Sequence, residues 1–161
     1  MQRSGLTLIF TVLIGVACGI AAPSMAVETH DHQHEATTPS KLQLNQGKKW
    51  GTDAPLRQGM TAMRADLASK LHAIHQGNLT KEGYAALGKS IEAQISMIVS
   101  QCKLDPKADA MLHIVISDLA GSAEIMQGKA AGLPAEAAHR AVMALNSYSQ
   151  YFSHPGWKPI K

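Results

Sequence analysis

The sequence predicts an all-α fold, an antiparallel up-down-up-down four-helix bundle over residues 53–153, preceded by a disordered, His-containing tail. Three observations predict it. Apolar residues recur at steps of three and four in four separate segments, which stacks them on one face of each helix. Capping residues stand before these segments, and Gly or Pro stands between them. Aromatic residues make up only 4% of the chain, so Ala, Leu, Ile and Met must fill the core, a composition that suits helices better than sheets.

Helix 1 starts at Thr52-Asp53-Ala54-Pro55. Asp53 can accept from free backbone N–H groups, and proline is tolerated in a first turn. Its stripe is Leu56, Met60, Met63, Leu67, Leu71 and Ile74, and Gly77 stops it. Thr80 caps helix 2, whose stripe is Tyr84, Leu87, Ile91, Ile95, Ile98 and Cys102. Asp105-Pro106 opens helix 3, with Leu112, Val115 or Ile116, Leu119, Ala123 and Met126 inward; Gly128 to Gly132 ends it. Pro134 opens helix 4, with Ala138, Val142, Leu145, Ser149 and Phe152 inward, and His154-Pro155-Gly156 stops it. Residues 154–161 read as a C-terminal tail. Four helices of ~20 residues joined by short loops favour antiparallel neighbours.

The N-terminus has a different character. Arg3 precedes an apolar run from Leu6 to Ile20, Pro23 breaks the run, and Ser24-Met25-Ala26 offers small residues at a cleavage site. This pattern predicts a secretory signal peptide over residues 1–26, cut near Ala26, and a periplasmic or secreted protein. The run is shorter than the ~20 residues a membrane span needs, so no stable membrane insertion is expected after cleavage. The remaining chain carries 14 basic and 12 acidic residues, a net charge of +2, which gives no reason to expect nucleic acid. Cys18 leaves with the signal, so Cys102 has no intramolecular disulfide partner.

Up-down topology fixes which reactive residues meet. One pole gathers the start of helix 1, the end of helix 2, the start of helix 3 and the end of helix 4. At ~1.5 Å per residue, Met60, Met97 or Ile98, His113 and Ser149 should lie about 5–11 Å from that pole. Cys102, Met111 and His154 sit nearer its rim. The opposite pole collects His72, His75 and His139.

Residues 27–52 lack usable periodicity and read as a flexible, His-rich tail. Within it, Thr29-His30-Asp31-His32-Gln33-His34-Glu35 sets three imidazoles at alternate positions with carboxylates beside them. Imidazole suits copper, zinc and nickel, and a flexible backbone can wrap one ion with His30, His32 and His34. Soft Met sulfur suits Cu(I), which makes copper the leading candidate and Met60 and His113 the further candidate ligands.

Leu56-Arg57-Gln58-Gly59-Met60 and Asn146-Ser147-Tyr148-Ser149-Gln150 carry a resemblance. They resemble the two segments of the soluble b-type cytochromes of the bacterial periplasm, four-helix bundles that hold haem between a Met on helix 1 and a His on helix 4. The resemblance implies a bundle, an exported location and a haem ligand at Met60. Ser149 stands where the family places its His, so His113 or His154 would have to supply the second ligand; His154 would need the chain to fold back. No Cys-x-x-Cys-His is present for covalent haem.

One motif fails on context. Gly83-Tyr84-Ala85-Ala86-Leu87-Gly88-Lys89-Ser90 matches a phosphate-binding loop, but no strand precedes it, and Tyr84 and Leu87 continue a helical stripe. No H-E-x-x-H or G-x-S-x-G occurs, and no enzyme is expected. The functional expectation is an exported metal-binding bundle that buffers or carries copper. The alternatives are a b-type haem electron carrier and a cofactor-free envelope interaction protein with an unnamed protein partner.

Overall fold

The computed structural model describes residues 41–161. Among them are four α-helices: α1 (Ala54–His75), α2 (Lys81–Gln101), α3 (Pro106–Met126) and α4 (Pro134–Tyr151). No strand is present among the described residues, only isolated bridges at Asn45–Lys48 and Trp50–Phe152. Each helix packs on its neighbours in sequence, and α1 also meets α4. That ring of contacts is the expected four-helix bundle.

The helix ends follow the sequence signals. Asp53 Oδ1 accepts from Leu56 N–H at 2.9 Å, Thr80 Oγ1 from Gly83 N–H at 3.1 Å, and Asp105 Oδ1 from Lys107 N–H at 2.9 Å. Each side chain thereby satisfies a backbone donor that has no partner within its helix. α1 and α3 end alike. Asn78 N–H reaches Ala73 O and Lys129 N–H reaches Glu124 O, both at 2.9 Å, across Gly77 and Gly128 at φ +67° and +73°. That positive φ is why glycine closes these two helices.

Three of the four stripes face the core as expected. Leu56, Met60, Met63, Leu67 and Ile74 are buried on α1, with Leu71 half-buried. Tyr84, Leu87, Ile91 and Ile98 are buried on α2, with Ile95 and Cys102 half-buried. On α3 the choice between Val115 and Ile116 falls to Val115, at 1% exposure, while Ile116 is half-buried. α4 differs. Ala138, Leu145 and Phe152 are buried as expected, but Val142 and Ser149 are half-buried. Ala137, Ala141, Ala144 and Tyr148 take the inner positions. The small alanine face allows close approach to α3, and the large Tyr148 ring turns inward beyond it.

The expected tails are part of the folded body where they are described. Trp50 is 7% exposed, and its backbone is tied to α4 through Trp50 N–H to Tyr151 O at 2.7 Å and Ser153 N–H to Trp50 O at 2.8 Å. Burying an indole stabilises by about 3–5 kcal/mol, enough to offset ordering of only two to four residues at ~1–2 kcal/mol each. Further hold comes from Leu42, packed on the core, and from Gln43 O, which accepts from Trp50 Nε1 at 2.6 Å. At the other end, Ile160 is 6% exposed and Asn146 grips its backbone twice, at 2.9 and 3.0 Å. The folded body therefore extends beyond residues 53–153, to at least 41–161. Isolated apolar residues such as Trp50, Trp157 and Ile160 carry no period, so a periodicity argument passes over them.

Gly83 to Ser90 lies inside α2, as its context required. Gly88 sits where α2 meets α3: a Cβ there would lie 2.6 Å from Ala123 O and 2.9 Å from Gln127 Cγ. Gly121, within α3, faces open space. Gly88→Ala should therefore destabilise the bundle by about 1–3 kcal/mol through forced separation of α2 from α3. Gly121→Ala should stabilise it by about 0.5–1 kcal/mol through helix propensity. Urea unfolding of the two variants checks both signs.

Candidate functional site at the pole of the chain ends

The pole where α1 begins and α4 ends is organised by the Asp53 carboxylate. Besides capping α1, it accepts from Lys103 N–H at 2.6 Å and from the Cys102 thiol at 3.4 Å. Burial pushes the Asp53 carboxyl upward. The hydrogen bonds from Lys103, Leu56 and Cys102 outweigh that effect and hold it below its ordinary value. Cys102 feels the opposite. Burial, then the hydrogen bond to Asp53 and the charges of Asp53 and Asp109, push its thiol up to about 12. A thiol so hard to ionise is a poor nucleophile and a poor metal ligand.

Tyr148 is fully buried beside this network, and its hydroxyl lies 3.0 Å from His154 Nδ1. Burial pushes the Tyr148 hydroxyl well above its usual value. The chain does fold back after α4. His154 meets Tyr148 edge-on at 5.8 Å and Trp157 at 4.9 Å between ring centroids, and its Nε2 lies 3.3 Å from Thr61 Oγ1. Burial, then the nearby Arg57 charge, lowers the His154 pKa. Tyr148, His154 and Trp157 thus close the end of α4 as an aromatic and hydrogen-bonded plug.

The candidate ligands do not converge there. Met60 has 0% exposure and is core. His113 is exposed, with Nδ1 2.9 Å from Asp109 O and 3.4 Å from Asp109 Oδ2. Donation from Nδ1 leaves its Nε2 as the available ligand atom. His113 lines a surface cleft of about 570 Å³ with Cys102, Lys103, Leu104 and Asp109, and Met60 is absent from its walls. A second cleft of about 690 Å³ runs between Trp50, Asp53 and the start of α3. Among the described residues, no three His, Cys, Asp or Glu side chains stand together as a metal-holding group. His30, His32 and His34 lie outside the described residues.

Haem does not fit this arrangement. Met60 is enclosed, and Ser149 spends its hydroxyl on Asn146 O at 2.7 Å. Phe152 stacks on Tyr148 and Trp157 meets it edge-on where α4 would have to open, each with its centroid 5.2 Å from that of Tyr148. Neither His113 on the surface nor His154 in its contacts with Tyr148 and Thr61 faces Met60 across a cavity.

Sequence reasoning missed Asp53 as a link between helices and Tyr148 as a core residue. A signal for Tyr148 was present, since Ala141, Ala144, Tyr148 and Phe152 also follow steps of three and four. For the contact from Asp53 to Lys103 there was none, because it joins residues 50 apart. Comparison of the chain with protein-family models, curated proteins and solved structures returns no match.

Two outcomes follow from the Asp53 network. Asp53→Ala should cost about 1–2 kcal/mol at pH 7 through the lost cap. With its carboxyl lowered in the fold, the unfolded chain binds the proton first, so the contribution of Asp53 is present above the ordinary carboxylate range and lost as pH falls through the lowered value. The gap between wild type and Asp53→Ala should therefore narrow in denaturant titrations taken from pH 7 to below about 3. Separately, iodoacetamide at pH 8 should label Cys102 about 100-fold or more slowly in the native protein than in denaturant, because the thiolate fraction falls by about tenfold per unit of pKa.

Proposed function

We propose that this chain is an exported metal-binding protein that buffers or carries copper, with His30, His32 and His34 as the ligands that capture the ion. The single observation carrying this reading is the alternation His30-Asp31-His32-Gln33-His34-Glu35, three imidazoles within one short stretch. Such a segment needs no preformed pocket, because backbone adjustment brings the nitrogens to the metal. The apolar run of Leu6 to Ile20 with its small-residue cleavage site supports export. No helix among the described residues is long and apolar enough to cross a membrane.

Of the two candidate ligands in the bundle, His113 is the one able to add to the tail, since its ring is at the surface. Met60 would meet an ion only if the core opened. The cofactor-free alternative would want an apolar docking face. Large exposed apolar side chains among the described residues are Leu44, Val99, Leu133 and Met143, on four different segments, and scattered apolar residues are ordinary on protein surfaces.

Isothermal titration with Cu(II) tests the proposal. Replacing His30, His32 and His34 together by alanine should weaken binding by about tenfold or more, since removal of ligands cannot be made good by water at equal affinity. Unchanged affinity in that variant would overturn the tail assignment.

A further inference from the structure

The opposite pole holds an imidazole pair that the copper reading does not use. His75 is the last residue of α1, and His139 lies in the second turn of α4. Their rings stack with centroids 5.2 Å apart and planes only 12° from parallel. Both residues are exposed, so either side chain can rotate into solvent without displacing core. Two helices that converge only through folding thus bring two metal-binding side chains into contact.

We propose that His75 and His139 form a two-histidine site for a divalent first-row transition ion such as Ni2+, Cu2+ or Zn2+, pinning the end of α1 to α4. Imidazole nitrogen binds these ions at ~2.0–2.1 Å, so two ligands on adjacent positions of one ion stand ~3 Å apart. Rings already in contact need only side-chain rotation to reach that separation, with the backbones left in place. No third His, Cys, Asp or Glu completes a metal-holding group among the described residues. Water therefore fills the remaining positions, and the ion stays exchangeable. His72 stands one turn earlier on α1 and offers a competing pair within a single helix. The stacking of His75 on His139 selects the pair between helices instead.

Thermodynamic linkage separates this site from the tail. An ion raises the unfolding midpoint only if it binds the folded state better than the unfolded one. The tail ligands are neighbours in sequence and serve folded and unfolded chains alike. The pair between helices exists only when α1 and α4 are docked. The test uses the chain from Val27 onward with His30, His32 and His34 replaced by alanine, melted in excess Ni2+ and in EDTA. The midpoint should rise by about 5–10 °C when Ni2+ is near a hundredfold above its dissociation constant. Each further variant is compared with its own EDTA melt, which removes any intrinsic change in stability. His75→Ala and His139→Ala should each abolish the rise, and His72→Ala should retain it. The proposal is overturned if Ni2+ leaves the midpoint unmoved, if the rise survives His139→Ala, or if His72→Ala abolishes it. Because this background lacks the tail histidines, a negative result here leaves the tail reading intact, and a failed tail titration leaves this one intact.

Discussion

The Asp53 carboxylate joins two places in the chain that local structure cannot bring together. It caps the first turn of α1 through Leu56 N–H and holds the α2–α3 connection through Lys103 N–H. One side chain therefore sets where α1 starts and where the next helix pair turns. The surroundings depend on that placement. Trp50 enters immediately before it and ties to Tyr151 and Ser153, so the beginning of α1 and the end of α4 are held at one level. Charge-assisted hydrogen bonds of this kind are roughly twice as strong as neutral ones, which suits a junction carrying several segments.

The same junction explains the chemistry of the pole. Burial keeps the Cys102 thiol protonated, and the Asp53 carboxylate, held ionised by its donors, acts in the same direction. Tyr148, Phe152, His154 and Trp157 then close the end of the bundle with stacked and edge-on rings. Sulfur and imidazole groups are present at this end, as the topology required, but they are spent on packing and hydrogen bonds. Met60 fills core and His113 faces water. A bundle end can be rich in ligand atoms without bringing them together, because a site needs free lone pairs converging on one point.

The opposite end shows the reverse. Its histidines are exposed, and the two that touch come from different helices. The last turn of a helix favours groups that can carry positive charge, which accounts for His72 and His75 near the end of α1 on local grounds. His139 has no such local reason. Its position against His75 follows only from the pairing of α1 with α4.

By itself the sequence determined the number of helices, their caps at Asp53, Thr80 and Asp105, the stops at Gly77 and Gly128, and the inner faces of α1, α2 and α3. These are local properties: a cap reaches three residues along the chain, and an apolar stripe repeats every turn. It also determined the alternating histidines His30, His32 and His34, which need no fold to be adjacent. Tertiary structure alone decided the rotation of α4, where an alanine face and a Tyr148 face compete and the neighbouring helix selects. It decided that Trp50 and Ile160 belong to the core, since neither lies in a periodic segment. It decided that Met60 and His113 part while His75 and His139 meet. Which residues from distant segments share a point in space depends on the relative rotation and register of whole helices, and that is set by packing across the core, not by any stretch of the chain read alone.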